Sequence, residues 1–164
     1  MADKYDIFIS LRFQEAGKDW PIKGAEKLKA KLEAKGYRVF LCDVDSGRDI
    51  FEVVSNAMVN SKMFIVFGSQ TYGFQTASKC STYQEFNFII DEKKPFFLFK
   101  MCDIYEVATT KVTLNRDVAY EKWYPFESPD VPEISFQNIM KKFQSLYGDN
   151  KVVSFIIFSF ILCL

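Results

Sequence analysis

Glu85 is the acid best placed for chemistry. It lies in Cys80-Ser81-Thr82-Tyr83-Gln84-Glu85-Phe86, with Ser81 and Thr82 four and three residues before it. On a helix that spacing sets both hydroxyls on the carboxylate's face. An early-turn glutamate also reads as a charge complementing the helix dipole. Arg12 and Phe13 follow the first apolar run directly. An arginine there can meet a phosphate bidentately, or stand as an exposed basic loop residue. Asp43, Asp45 and Asp49 share one loop with Gly47. Their spacing lacks the closing bidentate acid of an EF-hand. They read as solvated charges, Asp49 as an N-cap before Ile50. With no histidine in the chain, Ser-His-Asp and Cys-His nucleophile systems are excluded and zinc loses its commonest ligand. No metal site is expected. No G-x-G-x-x-G or Walker lysine motif is present.

These residues need elements to place them, and the apolar pattern supplies an alternation. Tyr5–Ser10 reads as a buried strand. Pro21 and Gly24 punctuate the way into a helix marked by Ala25, Leu28 and Leu32, with Gly36 just past its end. Tyr37–Leu41 is the second strand. Ile50, Val53, Val54, Ala57 and Met58 mark a helix, and Met63–Phe67 a third strand. After a loop from Gly68 to Lys79, Tyr83, Phe86, Ile89 and Ile90 give the helix that carries Glu85. Phe96–Met101 is the fourth strand, and Tyr120–Phe126 holds a short edge strand. The segment from Cys102 to Val118 is weakly periodic, and Phe136, Ile139, Met140 and Phe143 mark a last helix. Such alternation implies an α/β fold with a parallel sheet and helices on both faces. Five strands predict the flavodoxin-like order 2-1-3-4-5, with a crevice at the carboxyl ends of strands 1 and 3. There the loops Leu11–Trp20 and Gly68–Lys79 should meet.

A length of 164 residues predicts one domain. It is placed at 1–150, with a short apolar tail at 151–164. The run Val152–Leu164 is shorter than the roughly 17–25 residues of a spanning helix. It reads as the start of a following segment, a membrane-associating tail or an artefact of the gene model, and a membrane partner is expected only if the tail is genuine. With 21 basic and 21 acidic residues, nothing draws the chain to nucleic acid. Cys42, Cys80, Cys102 and Cys163 are scattered, with no C-x-x-C pair, and MADKYDIFIS lacks a secretory pattern. A cytoplasmic location is expected. The 18 phenylalanines and 8 tyrosines fall on core-like positions.

Five boxes in order resemble the Toll/interleukin receptor (TIR) domain family. Tyr5-Asp6-Ile7-Phe8-Ile9-Ser10-Leu11-Arg12 resembles its opening box. Gly36–Asp43 resembles its second strand and the start of its BB loop, with Gly47, Asp49 and Ile50 at the loop's end. Ala57, Met58 and Ser61, followed by Phe64–Ser69 and Tyr72, resemble the next box. Glu85 falls where the family has a helix glutamate, and Tyr120, Trp123 and Pro125 resemble its late strand. Phe136-Gln137 stands where many animal members have Phe-Trp, and Ser81 and Thr82 where many members have Trp-Cys.

The resemblance implies a three-layer flavodoxin-like fold over residues 5–147 and one of two functions. The first is cleavage of NAD+ at the nicotinamide–ribose bond, giving ADP-ribose or a cyclic form, in immune or cell-death signalling. Glu85 would then be catalytic. Arg12, Phe13, Ser81 and Thr82 would bind NAD+, which is a substrate with no cofactor beside it. The site would be completed by another TIR domain through self-association. The second is a non-catalytic adaptor working by homotypic TIR–TIR contacts through the loop containing Asp43, Asp45, Gly47 and Asp49. A phosphorylation receiver needs an aspartate after the third strand, where this chain has Phe67-Gly68-Ser69.

Overall fold

The structure is a computed structural model that describes residues 4–42, 50–76, 81–114 and 118–148. Asp43, Asp45, Gly47, Asp49, Cys80 and the apolar run 152–164 lie outside the described residues. The elements are β1 (Tyr5–Ser10), α1 (Trp20–Glu33), β2 (Val39–Phe40), α2 (Ile50–Val59), β3 (Ser61–Gly68), α3 (Thr82–Asp91), β4 (Phe96–Lys100), α4 (Ala108–Leu114), β5 (Tyr120–Lys122) and α5 (Glu133–Tyr147). All strand pairs are parallel, and the sheet order is β2-β1-β3-β4-β5, the flavodoxin-like order predicted. None of the described helices is long and apolar enough to cross a membrane.

Strand alternation gives the sheet two different faces. On one, Phe8, Phe64 and Val66 join a buried cluster with Val54 of α2 and with Phe86 and Ile89 of α3. On the other, Phe67 and Phe99 meet the Trp123 ring edge-on, with centroids 5.3 and 4.9 Å away. Helix α1 lies against Trp123 and Pro125 through Gly24, where a Cβ would come within 2.9 Å of Pro125 Cβ. At the start of the sheet Asp6 accepts from the Arg38 backbone N–H at 3.0 Å and from Lys62 Nζ at 2.8 Å. That joins β1 to the chain just before β2 and to β3.

Several boundaries differ from the sequence reading, each for a local reason. Helix α1 begins at Trp20, before Gly24. Pro21 fits the first turn, where its missing N–H has no helical partner to lose. Strand β2 is shorter than Tyr37–Leu41, because the Tyr37 N–H closes α1 on the Leu32 carbonyl at 3.3 Å. Strand β5, Tyr120–Lys122, lies within the stretch expected to hold a short edge strand, and the chain then turns to seat Trp123 beneath the sheet. Helix α4 lies in the weakly periodic stretch. Of its seven residues only Thr110 and Leu114 are buried, too few to print a helical period, and Thr109, Thr110, Val112 and Thr113 are β-branched.

The described residues up to Pro132 form one compact unit, and those from Glu133 a second. The second is α5, whose buried Phe136, Ile139 and Phe143 share one face.

Candidate functional site

The carboxyl end of β1 is where the site begins. Ser10 closes the strand on the face of Phe8 and is fully buried. After it the chain carries Arg12 and Phe13 outward, both half-buried. A tight hairpin then pairs Glu15 with Lys18. It needs φ values of 51° at Ala16 and 74° at Gly17. The buried Glu15 carboxylate accepts from Thr71 Oγ1 at 3.1 Å, which ties this loop to the one after β3.

Helix α3 positions Glu85. Ser81 is its extended N-cap residue, and the Gln84 side chain reaches back to accept the Ser81 N–H at 2.9 Å. Phe86 and Ile89 anchor the helix in the core. Glu85 is left 8% exposed, facing the end of β1. Its Oε2 accepts the Ser10 hydroxyl at 2.5 Å, and Ser10 Oγ lies 2.6 Å from Tyr72 Oη. The carboxylate therefore bonds across the sheet end and leaves the N–H groups of its own helix alone. Burial pushes the Glu85 carboxyl up to about 7, and the Ser10 hydrogen bond draws it partly back. Burial, then the nearby Glu85 charge, holds the Tyr72 phenol well above its ordinary range.

The sequence-selected residues meet at one cavity of about 340 Å³, lined by Arg12, Phe13, Ser81, Thr82 and Glu85. Cys42, Ile50, Val54 and Thr76 complete much of the wall. Its volume is at the small end of ligand pockets. Arg12 is also held over the exposed Phe74 ring, 5.8 Å from its centroid. Thr82 has a second duty, its Oγ1 accepting the Gly73 N–H at 3.0 Å. Cys102 lies elsewhere, and burial raises its thiol to about 11, so it stays protonated at neutral pH.

Sequence reasoning did not single out Ser10, Tyr72 or Phe74 as parts of the site. The readable signal was a serine ending an apolar strand, opposite a loop expected to cross the crevice with two aromatics in it. The interaction-loop positions Asp43, Asp45, Gly47 and Asp49 lie outside the described residues.

No protein-family model matches the chain, and no curated protein does. Solved structures do. The TIR domain of the Toll-related receptor TRR-2 from Hydra magnipapillata is similar with a TM-score of 0.59 at 17% identity, over 86% of this chain and 99% of that one. The TIR domains in the structure of the activated Roq1 resistosome, which directly recognizes the pathogen effector XopQ, are similar with a TM-score of 0.55 at 18% identity. That match covers 84% of this chain and 98% of the other. At such identities the likeness speaks for architecture. Together with the parallel order β2-β1-β3-β4-β5, it gives this chain the fold of a Toll/interleukin receptor domain.

Proposed function

We propose that the chain is a TIR-domain NAD+ glycohydrolase or cyclase that cleaves the nicotinamide–ribose bond. The observation that carries the reading is Glu85, a buried carboxylate at the floor of the cavity that Arg12 and Phe13 also line. When the bond breaks, its electron pair leaves with nicotinamide, which departs as a neutral base. No general acid is needed. The ribosyl group becomes oxocarbenium-like, as in glycoside cleavage. Glu85 in its charged form opposes that positive charge and accepts from ribose hydroxyls. Arg12 faces the pyrophosphate, and Phe13 lies against a ring of the substrate. Water adding to the ribosyl carbon gives ADP-ribose; a nucleophile within the same nucleotide gives a cyclic form.

The small cavity supports a site finished by a second copy of the domain. The setting of the Roq1 TIR domains, an activated resistosome recognizing a pathogen effector, supports a role in innate immune signalling. The test is nicotinamide release from NAD+ by the full chain at high protein concentration, beside Glu85→Ala. Release is expected to fall at least about 100-fold in the variant. Because the charged form acts, wild-type activity should rise with pH through about 7 and level off above it. No release from crowded or tethered wild-type protein would leave the adaptor reading, with homotypic TIR–TIR contacts as its function.

A further inference from the structure

The proposed reaction uses Glu85 but gives no task to the two hydroxyls beneath it. Ser10 and Tyr72 are both fully buried, where a hydroxyl must be hydrogen-bonded or costs stability. Each has one proton to give. Ser10 donates its proton to Glu85 Oε2, so the 2.6 Å contact with Tyr72 requires Tyr72 Oη to donate to Ser10 Oγ. The chain of protons runs one way, from Tyr72 through Ser10, and ends on the carboxylate. Bonds in such a chain strengthen one another, most of all when the last acceptor is charged.

Both hydroxyls sit on a stiff frame. Ser10 belongs to β1, hydrogen-bonded between β2 and β3. Tyr72 is clamped by its backbone from two sides. Thr110 Oγ1 donates to the Tyr72 carbonyl at 2.8 Å, and the next N–H, of Gly73, donates to Thr82 Oγ1 at 3.0 Å. Gly73 holds φ +84°, and a Cβ there would lie 2.3 Å from Thr110 Oγ1, so the clamp needs a glycine. The Tyr72 ring meets Phe86 of α3 edge-on at 5.9 Å. Glu85 Oε1 accepts no hydrogen bond among the described residues.

We propose that Ser10 is a positioning residue for Glu85, its hydroxyl oriented by Tyr72 so that one carboxylate oxygen is held at the end of β1 and the other is free for the cavity. The catalytic consequence rests on the reading of Glu85 given above; the positioning itself does not. Among the described residues, the titratable and charged groups around Glu85 are Tyr72 from the loop after β3, Arg12 from the loop after β1 and Cys42 past β2, while α2 presents only Ile50 and Val54 to the cavity. Among the described residues, Ser10 is the hydrogen-bond donor that favours the charged carboxylate.

The test follows the Glu85 carboxyl by carbon NMR across pH in the full chain, beside the pH profile of nicotinamide release. In Ser10→Ala the Glu85 midpoint should rise by about one pH unit, a tenfold change in the protonation equilibrium. At pH 7 kcat should fall severalfold with KM nearly unchanged, and recover at pH 9. Tyr72→Phe should move the midpoint the same way by less. Ser10→Ala with Tyr72→Phe leaves no hydroxyl orphaned and carries the test if the single variant does not fold. An unmoved midpoint in a folded Ser10 variant overturns the proposal, whatever happens to the rate. If the wild type releases no nicotinamide, the proposed activity fails while the titration still decides the positioning.

Discussion

Glu85, Arg12 and Phe74 divide the work at the cavity between charge and orientation. Glu85 is buried and bound by one oxygen. Arg12 is half-buried, and the Phe74 ring beneath its guanidinium limits where that group can point. A cation–π contact at an exposed site is worth about 0.5–1 kcal/mol. In the proposed reaction Arg12 binds phosphate throughout, so loosening it should weaken ground state and transition state alike. Phe74→Ala should raise KM for NAD+ by about 2–5-fold and leave kcat nearly unchanged, measured by steady-state nicotinamide release. A kcat loss with constant KM would show that Arg12 acts on the bond-breaking step instead.

At the scale of elements, helix α1 carries a glycine where a helix ordinarily prefers alanine by about 1 kcal/mol. Gly24 is buried, and an added Cβ would stand 2.9 Å from Pro125 Cβ and 3.3 Å from the Trp123 ring. Proline and the tryptophan ring are stiff, so the helix would have to lift from the segment after β5. Gly24→Ala should therefore lower the melting temperature, with a loss of about 1–3 kcal/mol typical of overpacking. Thermal unfolding followed by circular dichroism reads the sign, and a stabilised variant would mean that α1 stands further from Trp123 than the structure has it. The same close approach explains why Gly24, which looked like punctuation before the helix, lies inside it.

For the whole molecule, the sheet brings together residues 75 positions apart in sequence, Ser10 and Glu85, and buries an ionisable group at their meeting point. That has a global consequence. The Glu85 carboxyl is raised from 4.5 to about 7 in the folded chain, so the folded state holds its proton more tightly than the unfolded one. Stability from this group falls as pH rises between those values, and the cost is complete above about 7. At about 1.4 kcal/mol per pH unit, the cost comes to roughly 3 kcal/mol. Glu85→Gln keeps an acceptor for Ser10 and removes the charge. It should raise the melting temperature clearly at pH 8 and hardly at pH 4.5. Equal shifts at both pH values would show that charge burial is not the cause.

The sequence by itself determined the alternation of strands and helices, the parallel order of the sheet and the loops that meet at its carboxyl end. Buried strands and amphipathic helices write their periods directly into apolar positions, as Phe64–Phe67 and Val54–Met58 do. It also put Glu85 with Arg12, Phe13, Ser81 and Thr82 in one region, because the topology fixes which strand ends adjoin. It was silent on α4, where two buried residues leave no period, and it overextended β2, whose start is set by the Leu32 carbonyl. Only the tertiary structure decided what surrounds Glu85. Ser10 is a strand residue and Tyr72 a loop residue, and neither type nor spacing shows that their hydroxyls form a line ending on that carboxylate. Hydrogen bonds between residues distant in sequence depend on ångström-scale packing of the sheet against α3, and that information exists only once the chain is folded.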